Sequence, residues 1–301
     1  MVDITHKSNT LRIAIAQAVV KVSSQSTIDA INTDSVPKGN IFAMSKAAGL
    51  LGVKKTPELL PDCHPMPIEY TDISYEIVDL DIIIKVTVKT IYKTGVEVEA
   101  MHCASVVALN MYDMLKPIDK GIEIHHIKLL QKKGGKSSFP IKYLDQVRVG
   151  IIVCSDTISR GEGEDRSGKV IKEKMQGFGV ETSNVTIIPD EIPEIQKTIH
   201  QLLESCNVII ISGGTGLSPR DVSPEAVLPL IDKRLIGAEE AIRRYGQDRT
   251  PFSMLSRSVV GTIGNNLVLS LPGSVKGISE SIDAVFPYLF HSFKILKGEQ
   301  H

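Results

Sequence analysis

Residues 212–226 read SGGTGLSPRDVSPEA, and their types and spacing describe a place where a phosphate and a cation can meet. Gly213, Gly214, Thr215 and Gly216 make a turn that can fold sharply and approach an anion closely, because glycine has no Cβ in the way. Arg220 and Asp221 follow, a cation beside an acid able to hold Mg²⁺. Ser223-Pro224-Glu225 reads as a helix start, with the serine as N-cap and the proline at the first helical position. Just upstream, NVIII (207–211) is an apolar, β-branched run that suits a buried strand. A glycine turn after a strand, an acid and a helix N-terminus together make a phosphate site. The glycine turn alone is equally well a tight strand-to-loop connection; the Arg-Asp pair favours a nucleotide.

The elements that must position these residues divide the chain in two. A length of 301 residues suggests two domains at roughly 150 residues each. With 42% hydrophobic residues the chain can bury real cores. The 34 Lys plus Arg nearly cancel the 35 Asp plus Glu, which argues against a nucleic-acid partner. The longest apolar runs fall far short of the ~20 residues that span a bilayer, so no membrane association is expected. The start, MVDITHKSNT, has no apolar signal core, and four scattered cysteines suggest a reduced, cytoplasmic setting without disulfides.

In the first half, the apolar stretch 11–22 reads as a first helix and 41–52 as a second. Residues 82–92 alternate cleanly as a half-buried strand, with 68–78 as its hairpin partner. Residues 97–115 form a long helix ending before Pro117, and 121–130 a further strand. This is an α+β arrangement of antiparallel sheet and helices. The polar, Gly- and Pro-broken stretch 132–146 places a boundary near 141–146, giving domains 1–143 and 144–301.

The second half alternates regularly. Strands are expected at 147–155, 182–188, 207–211 and 267–274, with helices over 167–177, stopped by Gly179, and from Pro193 onward. That is an α/β fold with a doubly wound, mostly parallel sheet, whose ligands sit at the carboxyl ends of the strands. Four polar signals fall at such ends: Ser155-Asp156, Asp190, the glycine turn with Asp221, and Pro272-Gly273-Ser274.

With these pieces in family order (CSDTISRGEGEDRSG, IIPDE, SGGTGLSPRDVSPEA, TPFSMLSRS and LPGS), the second half resembles the molybdopterin adenylyltransferases of the MogA/MoaB type. The resemblance implies adenylylation of molybdopterin by ATP with Mg²⁺ and release of pyrophosphate. It implies that Asp190 and Asp221 position the metal and reacting phosphates, and that Gly213 to Gly216 cradle a phosphate. No tightly bound cofactor is expected. The first half resembles the cyclic pyranopterin monophosphate synthases of the MoaC type, through MVDIT, KGN, LLPDCHPM, KTGVEVEA, YDMLK and GGKS. That implies conversion of 3′,8-cyclo-7,8-dihydro-GTP to cyclic pyranopterin monophosphate and pyrophosphate. Hexamers are implied for the first half and trimers for the second. Three positions depart from the pattern: Asn40 replaces a usual acid, Lys46 a usual arginine, and Asp62 a commonly apolar residue.

Such a reaction needs proton donors and acceptors, and cations for a triphosphate. Lys38, Lys116 and Lys136 supply both if burial beside other cations lowers one pKa. Asp113 shares a helix face with Lys116; without the family motif this is an ordinary surface ion pair. Asp113 and His64, in the constrained Cys63-His64-Pro65 loop, complete the catalytic set, while Arg12, Cys63, Glu97 and Glu99 are expected to contact substrate. Glu97 and Glu99 equally suit the first turn of a helix for electrostatic reasons alone. A zinc site from Cys63-His64 and His102-Cys103 is disfavoured by the spacing, and His125-His126 read as surface residues on a strand. GGKSS (134–138) is not a P-loop, since position 130 is leucine. The alternative for the second half is a non-catalytic pterin-binding or scaffolding module.

Overall fold

The computed structural model describes residues 1–135, 138 and 144–298. Lys136, expected at the first site, lies outside the described residues. The chain divides into two compact units, Met1–Pro140 and Ile141–His301.

The first unit runs β1 (Thr10–Lys21), α1 (Gln25–Asn32), α2 (Ile41–Leu59), β2 (Tyr70–Val78), β3 (Asp81–Tyr92), α3 (Glu97–Leu115) and β4 (Glu123–Lys133). Its sheet has the order β2-β3-β1-β4, with every neighbour antiparallel. Residues 11–22, expected as a helix, are strand β1, in the centre of the sheet. Ala14, Ala16, Ala18 and Val20 are all fully buried, which is a period of two. The intervening Ile13, Ile15 and Val19 are apolar as well, so the alternation is hidden in the sequence. Alanine's helix preference then points the wrong way, and pairing on both sides overrides it. The small alanines leave room for α3, whose Ala100, Ala104, Val107, Ala108 and Met111 complete the core. Helix α3 has the expected bounds, and α2 runs seven residues beyond the expected 52.

The second unit runs β5 (Arg148–Cys154), α4 (Asp156–Ser159), α5 (Ser167–Gly177), β6 (Glu181–Ile188), α6 (Ile192–Leu203), β7 (Val208–Ser212), α7 (Ser223–Val227), β8 (Lys233–Arg234), α8 (Ile236–Gln247), β9 (Val259–Ile263), β10 (Asn266–Leu271), α9 (Val275–Val285) and α10 (Ser292–Leu296). Its six-stranded sheet has the order β6-β5-β7-β10-β9-β8. The first four strands are parallel, and β9 and β8 close the edge antiparallel. Alternate residues feed two cores: Val149, Ile151 and Ile210 pack on one face with Ile171 and Ile282, Ile152, Ile209 and Ile211 on the other with Ile195 and Ile199. The chain leaves β5 to one side, into β6, and returns to β7 on the other. The crevice beyond β5 and β7 is therefore the switch point where ligands bind in such sheets. Among the described residues, no helix is long and apolar enough to cross a membrane.

One buried acid ties the helical layer of the first unit together. Asp119, only 4% exposed, follows α3 and accepts from Ser23 N (2.8 Å), Ser23 Oγ (2.5 Å), Thr27 Oγ1 (3.0 Å) and Gly121 N (2.9 Å). Burial pushes its carboxyl up, but the bonds from Ser23, Gly121 and Thr27 outweigh that and hold it below the ordinary value. Asp119→Ala takes this acceptor from the buried Thr27 hydroxyl and from the Ser23 and Gly121 donors, and is expected to cost about 1–3 kcal/mol, read as a lower urea midpoint. Because the folded value is depressed, this stability is present above the ordinary carboxylate range and fades as the pH falls through it. The gap between variant and wild type should close in acid.

Candidate active sites

In the first unit the structure brings Lys38, Asp113 and Lys116 together. Lys38 precedes α2, and its Nζ donates to Asp113 Oδ2 (2.6 Å) and to the Asp113 carbonyl (2.8 Å). Lys116, at the end of α3, reaches Asp113 Oδ1 at 2.7 Å. Asp113 thus accepts from two ammonium groups, Lys116 first and then Lys38, and its carboxyl falls to about 2. The expectation that burial lowers a lysine pKa is corrected for Lys116: its side chain is half exposed, and the Asp113 carboxylate raises it. Lys116 is thus held as a cation, and Lys38 shares the same carboxylate. Asn40, where an acid is usual, caps α2 by accepting from Ala43 N at 2.8 Å, and its amide donates to Asp34. An asparagine fills that role as well as an aspartate.

The remaining first-half residues gather elsewhere. Cys63 Sγ donates to Glu99 Oε1 at 3.0 Å, and Glu99 is 1% exposed. Burial, then the Glu99 carboxylate, push the Cys63 thiol up to about 12, so it is a neutral donor. His64 Nε2 donates to the Val2 carbonyl at 2.8 Å. Glu97 faces Lys132 at 3.4 Å, and Arg12 donates to the Tyr92 and Lys93 carbonyls. Cys63, Glu97 and Glu99 sit at the start of α3, while Asp113 and Lys116 sit at its end. At ~1.5 Å per helical residue, the two groups lie roughly 20 Å apart within one chain.

In the second unit all four strand-end signals line one cleft of about 690 Å³, within the range of small-molecule sites. Gly213 and Gly214 adopt φ +111° and +63°. A Cβ on Gly213 would lie 2.2 Å from the Cys154 carbonyl, and one on Gly214 would lie 2.8 Å from Asp190 Oδ1. The glycine turn is thus folded against the end of β5 and against an acid of its own chain. Asp190 Oδ1 is buried with no hydrogen-bond partner. Burial first, then the charges of Asp156 and Asp221, raise the Asp190 carboxyl. Ser155 Oγ caps α4 through Ile158 N (3.3 Å), and Ser274 Oγ caps α9 through Gly277 N (3.1 Å). The Pro272 carbonyl accepts from Ser212 Oγ.

Arg220 is not free to meet a phosphate: it forms a two-bond pair with Asp156 (both 2.9 Å) and a further bond to Glu191 at 2.9 Å. Asp156 is thereby paired, although its charge still acts on Asp190, and Asp190 and Asp221 are the cleft acids without an arginine partner. Ser223, expected as an N-cap, is instead the first residue of α7 and makes no side-chain cap bond. Its hydroxyl is buried below the glycine turn, where a Cβ on Gly214 would meet it at 2.4 Å. Phe252, Leu255 and Ser256, from a 3₁₀ segment over Pro251–Leu255 and its end, also line the cleft. Arg257 next to them braces the glycine loop. These residues carry no periodic or motif-like signal beyond the stretch TPFSMLSRS.

Among the described residues, no group of three or more His, Cys, Asp or Glu converges as a metal cage. An unpartnered buried carboxylate oxygen beside a second acid fits a different mode. Mg²⁺ is usually held by one or two carboxylates together with substrate phosphates.

Fold and cleft together define a protein of two units, an α/β unit with a small-molecule-sized cleft at its strand ends and an α+β unit that presents a lysine–carboxylate cluster. Residues 1–135 match the MoaC family, and residues 150–291 match the family described as "Probable molybdopterin binding domain". The chain is 41% identical over 302 residues to the molybdenum cofactor biosynthesis bifunctional protein of Chlorobaculum tepidum, covering 100% of this chain and 96% of that one. It is 42% identical over 144 residues to the cyclic pyranopterin monophosphate synthase of Syntrophomonas wolfei, covering 47% of this chain and 91% of that one. A solved structure, the molybdopterin biosynthesis enzyme MoaB of Thermus thermophilus, is 40% identical over 51% of this chain and 98% of its own, with a TM-score of 0.48. The chain belongs to the family of bifunctional molybdenum cofactor biosynthesis proteins.

Asp190 generates a stability prediction. Asp190→Asn keeps the oxygen that accepts from Asp156 N and removes a charge that burial and two neighbouring acids disfavour. The folded value is raised, so the ionised carboxylate costs stability above it, and the cost vanishes as the pH falls through it. At neutral pH the variant should melt about 2–4 °C higher, the change that ~1 kcal/mol makes in a domain of this size. Calorimetry over a pH series checks it: the advantage should shrink in acid, where wild type gains the proton.

Proposed function

We propose that the chain carries out two steps of molybdenum cofactor synthesis. The first unit converts 3′,8-cyclo-7,8-dihydro-GTP to cyclic pyranopterin monophosphate and pyrophosphate. The second transfers the adenylyl group of ATP to molybdopterin, with loss of pyrophosphate. The family membership of both halves supports this reading, and the observation that carries the second activity is the buried, unpartnered Asp190 oxygen facing the cleft with Asp221.

In the first unit, Lys38 and Lys116 hold the triphosphate and stabilise the pyrophosphate as it departs. Asp113 orients both ammonium groups; with its carboxyl near 2 it stays ionised and does not itself donate a proton. Lys136, in the GGKS motif directly after the Gly135 that lies against Arg12, is proposed to act beside Arg12 rather than with this lysine pair. Cys63, His64, Glu97, Glu99 and Arg12 bind the cyclised purine at the other end of α3. Since the two groups lie roughly 20 Å apart in one chain, the site is completed by a second copy that sets its Cys63–Glu99 group against the lysines of the first.

In the second unit, Asp190 and Asp221 would hold Mg²⁺, which would neutralise and polarise the triphosphate. The turn from Gly213 to Gly216 approaches the phosphates, and Arg220 removes the charge of Asp156 that would repel them. Ser155 and Pro272 to Ser274 form the remaining walls.

Two tests follow. In the full chain, Lys116→Ala should reduce the first reaction about a thousandfold, a loss of roughly 4 kcal/mol of transition-state stabilisation, and spare the second. Asp221→Asn should do the reverse, with molybdopterin still bound. Each variant is assayed for both products; a variant that silences both reactions, or its own target not at all, sinks the assignment. The shared site is tested by mixing inactive Lys116→Ala and Glu99→Gln chains after exchange of subunits. Random pairing across a two-fold interface restores roughly a quarter of the sites, so cyclisation should return to about that level. No recovery would place the whole site within one copy.

A further inference from the structure

We propose that Arg257 is a positioning residue for the C-terminal reaction: its guanidinium closes the loop from Gly216 to Asp221 and so sets the Asp221 carboxylate. The proposal rests on the reading that Asp221 holds the cation that carries ATP. Arg257 Nε donates to the Gly216 carbonyl at 2.8 Å, and Nη2 donates to the Asp221 carbonyl at 2.6 Å. One planar group thus bridges the first and last residues of the loop. Nη1 is held by the Glu225 carboxylate on α7, and the backbone N–H of Arg257 donates to the Thr215 carbonyl at 2.9 Å.

Within the loop, Ser218 N donates to Asp221 Oδ2 at 2.8 Å, and Asp221 N donates to the Ser218 carbonyl at 2.9 Å. The carboxylate is therefore fixed relative to the loop, and the loop is fixed relative to the sheet by the arginine. The loop lacks apolar anchoring of its own: Leu217, its one large apolar side chain, is 69% exposed. Each guanidinium nitrogen donates to a protein acceptor, and Arg257 is not among the residues that line the cleft beside the glycine turn, so it acts through Asp221. A lysine at this position has a single ammonium and cannot span two carbonyls and a carboxylate in one plane.

The test uses the full chain with Arg257→Ala, Arg257→Lys and, alongside, Asp221→Asn. Adenylyl transfer from ATP to molybdopterin is followed across a Mg²⁺ titration, with and without guanidinium ion well below denaturing concentration. Amide hydrogen exchange over 216–221 is measured on the same proteins without substrate. Arg257→Ala should raise the half-saturating Mg²⁺ concentration about tenfold and speed exchange across the loop. Its rate at saturating Mg²⁺ should stay within about threefold of wild type. Added guanidinium should reverse both changes, and Arg257→Lys should behave like Arg257→Ala. Formation of cyclic pyranopterin monophosphate should be unaltered. A rate that neither Mg²⁺ nor guanidinium restores would overturn the proposal, as would unchanged Mg²⁺ dependence or unchanged loop exchange. If Asp221→Asn itself keeps the wild-type Mg²⁺ dependence, the reading of Asp221 fails; if Asp221→Asn loses it and Arg257→Ala does not, only the arginine's role fails.

Discussion

Asp190 keeps one carboxylate oxygen out of water without a hydrogen-bond partner, and the C-terminal crevice is organised around that cost. A lone buried carboxylate raises its own pKa, and a second and third acid nearby raise it further. The chain offsets one of them. Arg220 binds Asp156 through two parallel bonds and reaches Glu191 as well, so the acid nearest the end of β5 already has a counter-charge. Asp190 and Asp221 are left without such a partner. The glycine turn cannot tolerate a side chain between itself and these acids, because a Cβ on Gly214 would sit 2.8 Å from Asp190 Oδ1. Turn, acids and arginine are therefore one electrostatic unit.

The first unit shows the reverse arrangement, two cations set around one acid. Lys38 and Lys116 are brought within hydrogen-bond reach of one aspartate, which holds two like charges side by side. Like charges at such separation repel unless a counter-charge lies between them. Asp113 supplies it, and its carboxyl drops to about 2 as the reciprocal effect. Helix α3 then acts as a ruler. Its buried alanines and valines lie on the central strand and fix it lengthwise, so the acids at its start cannot reach the lysines at its end.

Much of this was legible in the sequence, for physical reasons that differ by element. Three of the four parallel strands of the second unit, β5, β7 and β10, are short apolar runs buried on both faces, whereas the edge strand β6 is half-exposed; each of the four is followed by its polar signal. The fold and the four corners of the cleft are therefore local features of the chain. Helix α3 announces itself by an acidic first turn and a proline beyond its end. Strand β1 was misread because alanines facing α3 and isoleucines on the other face erase the alternation; only the partners β3 and β4 decide the matter, and they are distant in sequence. Arg220 and Arg257 illustrate the same limit. Arg220 was visible beside Asp221 but its partner Asp156 lies 64 residues away. Arg257 sits in an irregular segment, and nothing near it marks it as the brace of a loop 41 residues earlier.

The two units meet the same electrostatic demand by opposite means, and the chain's near-zero net charge conceals this. A lysine pair can meet an anion directly, with a strength set by how far Asp113 draws the ammonium groups toward itself. A pair of acids is repulsive to an anion until a cation joins them, which is why one or two carboxylates commonly hold Mg²⁺ together with substrate phosphates. That makes the placement of Asp221 more demanding than the placement of either lysine. An ammonium on a flexible stem can follow its ligand, whereas a carboxylate on a short side chain must be delivered by its backbone. The exposed loop from Gly216 to Asp221 is consequently bound at both ends by one planar guanidinium, while the lysines of the first unit are left half exposed on their own stems.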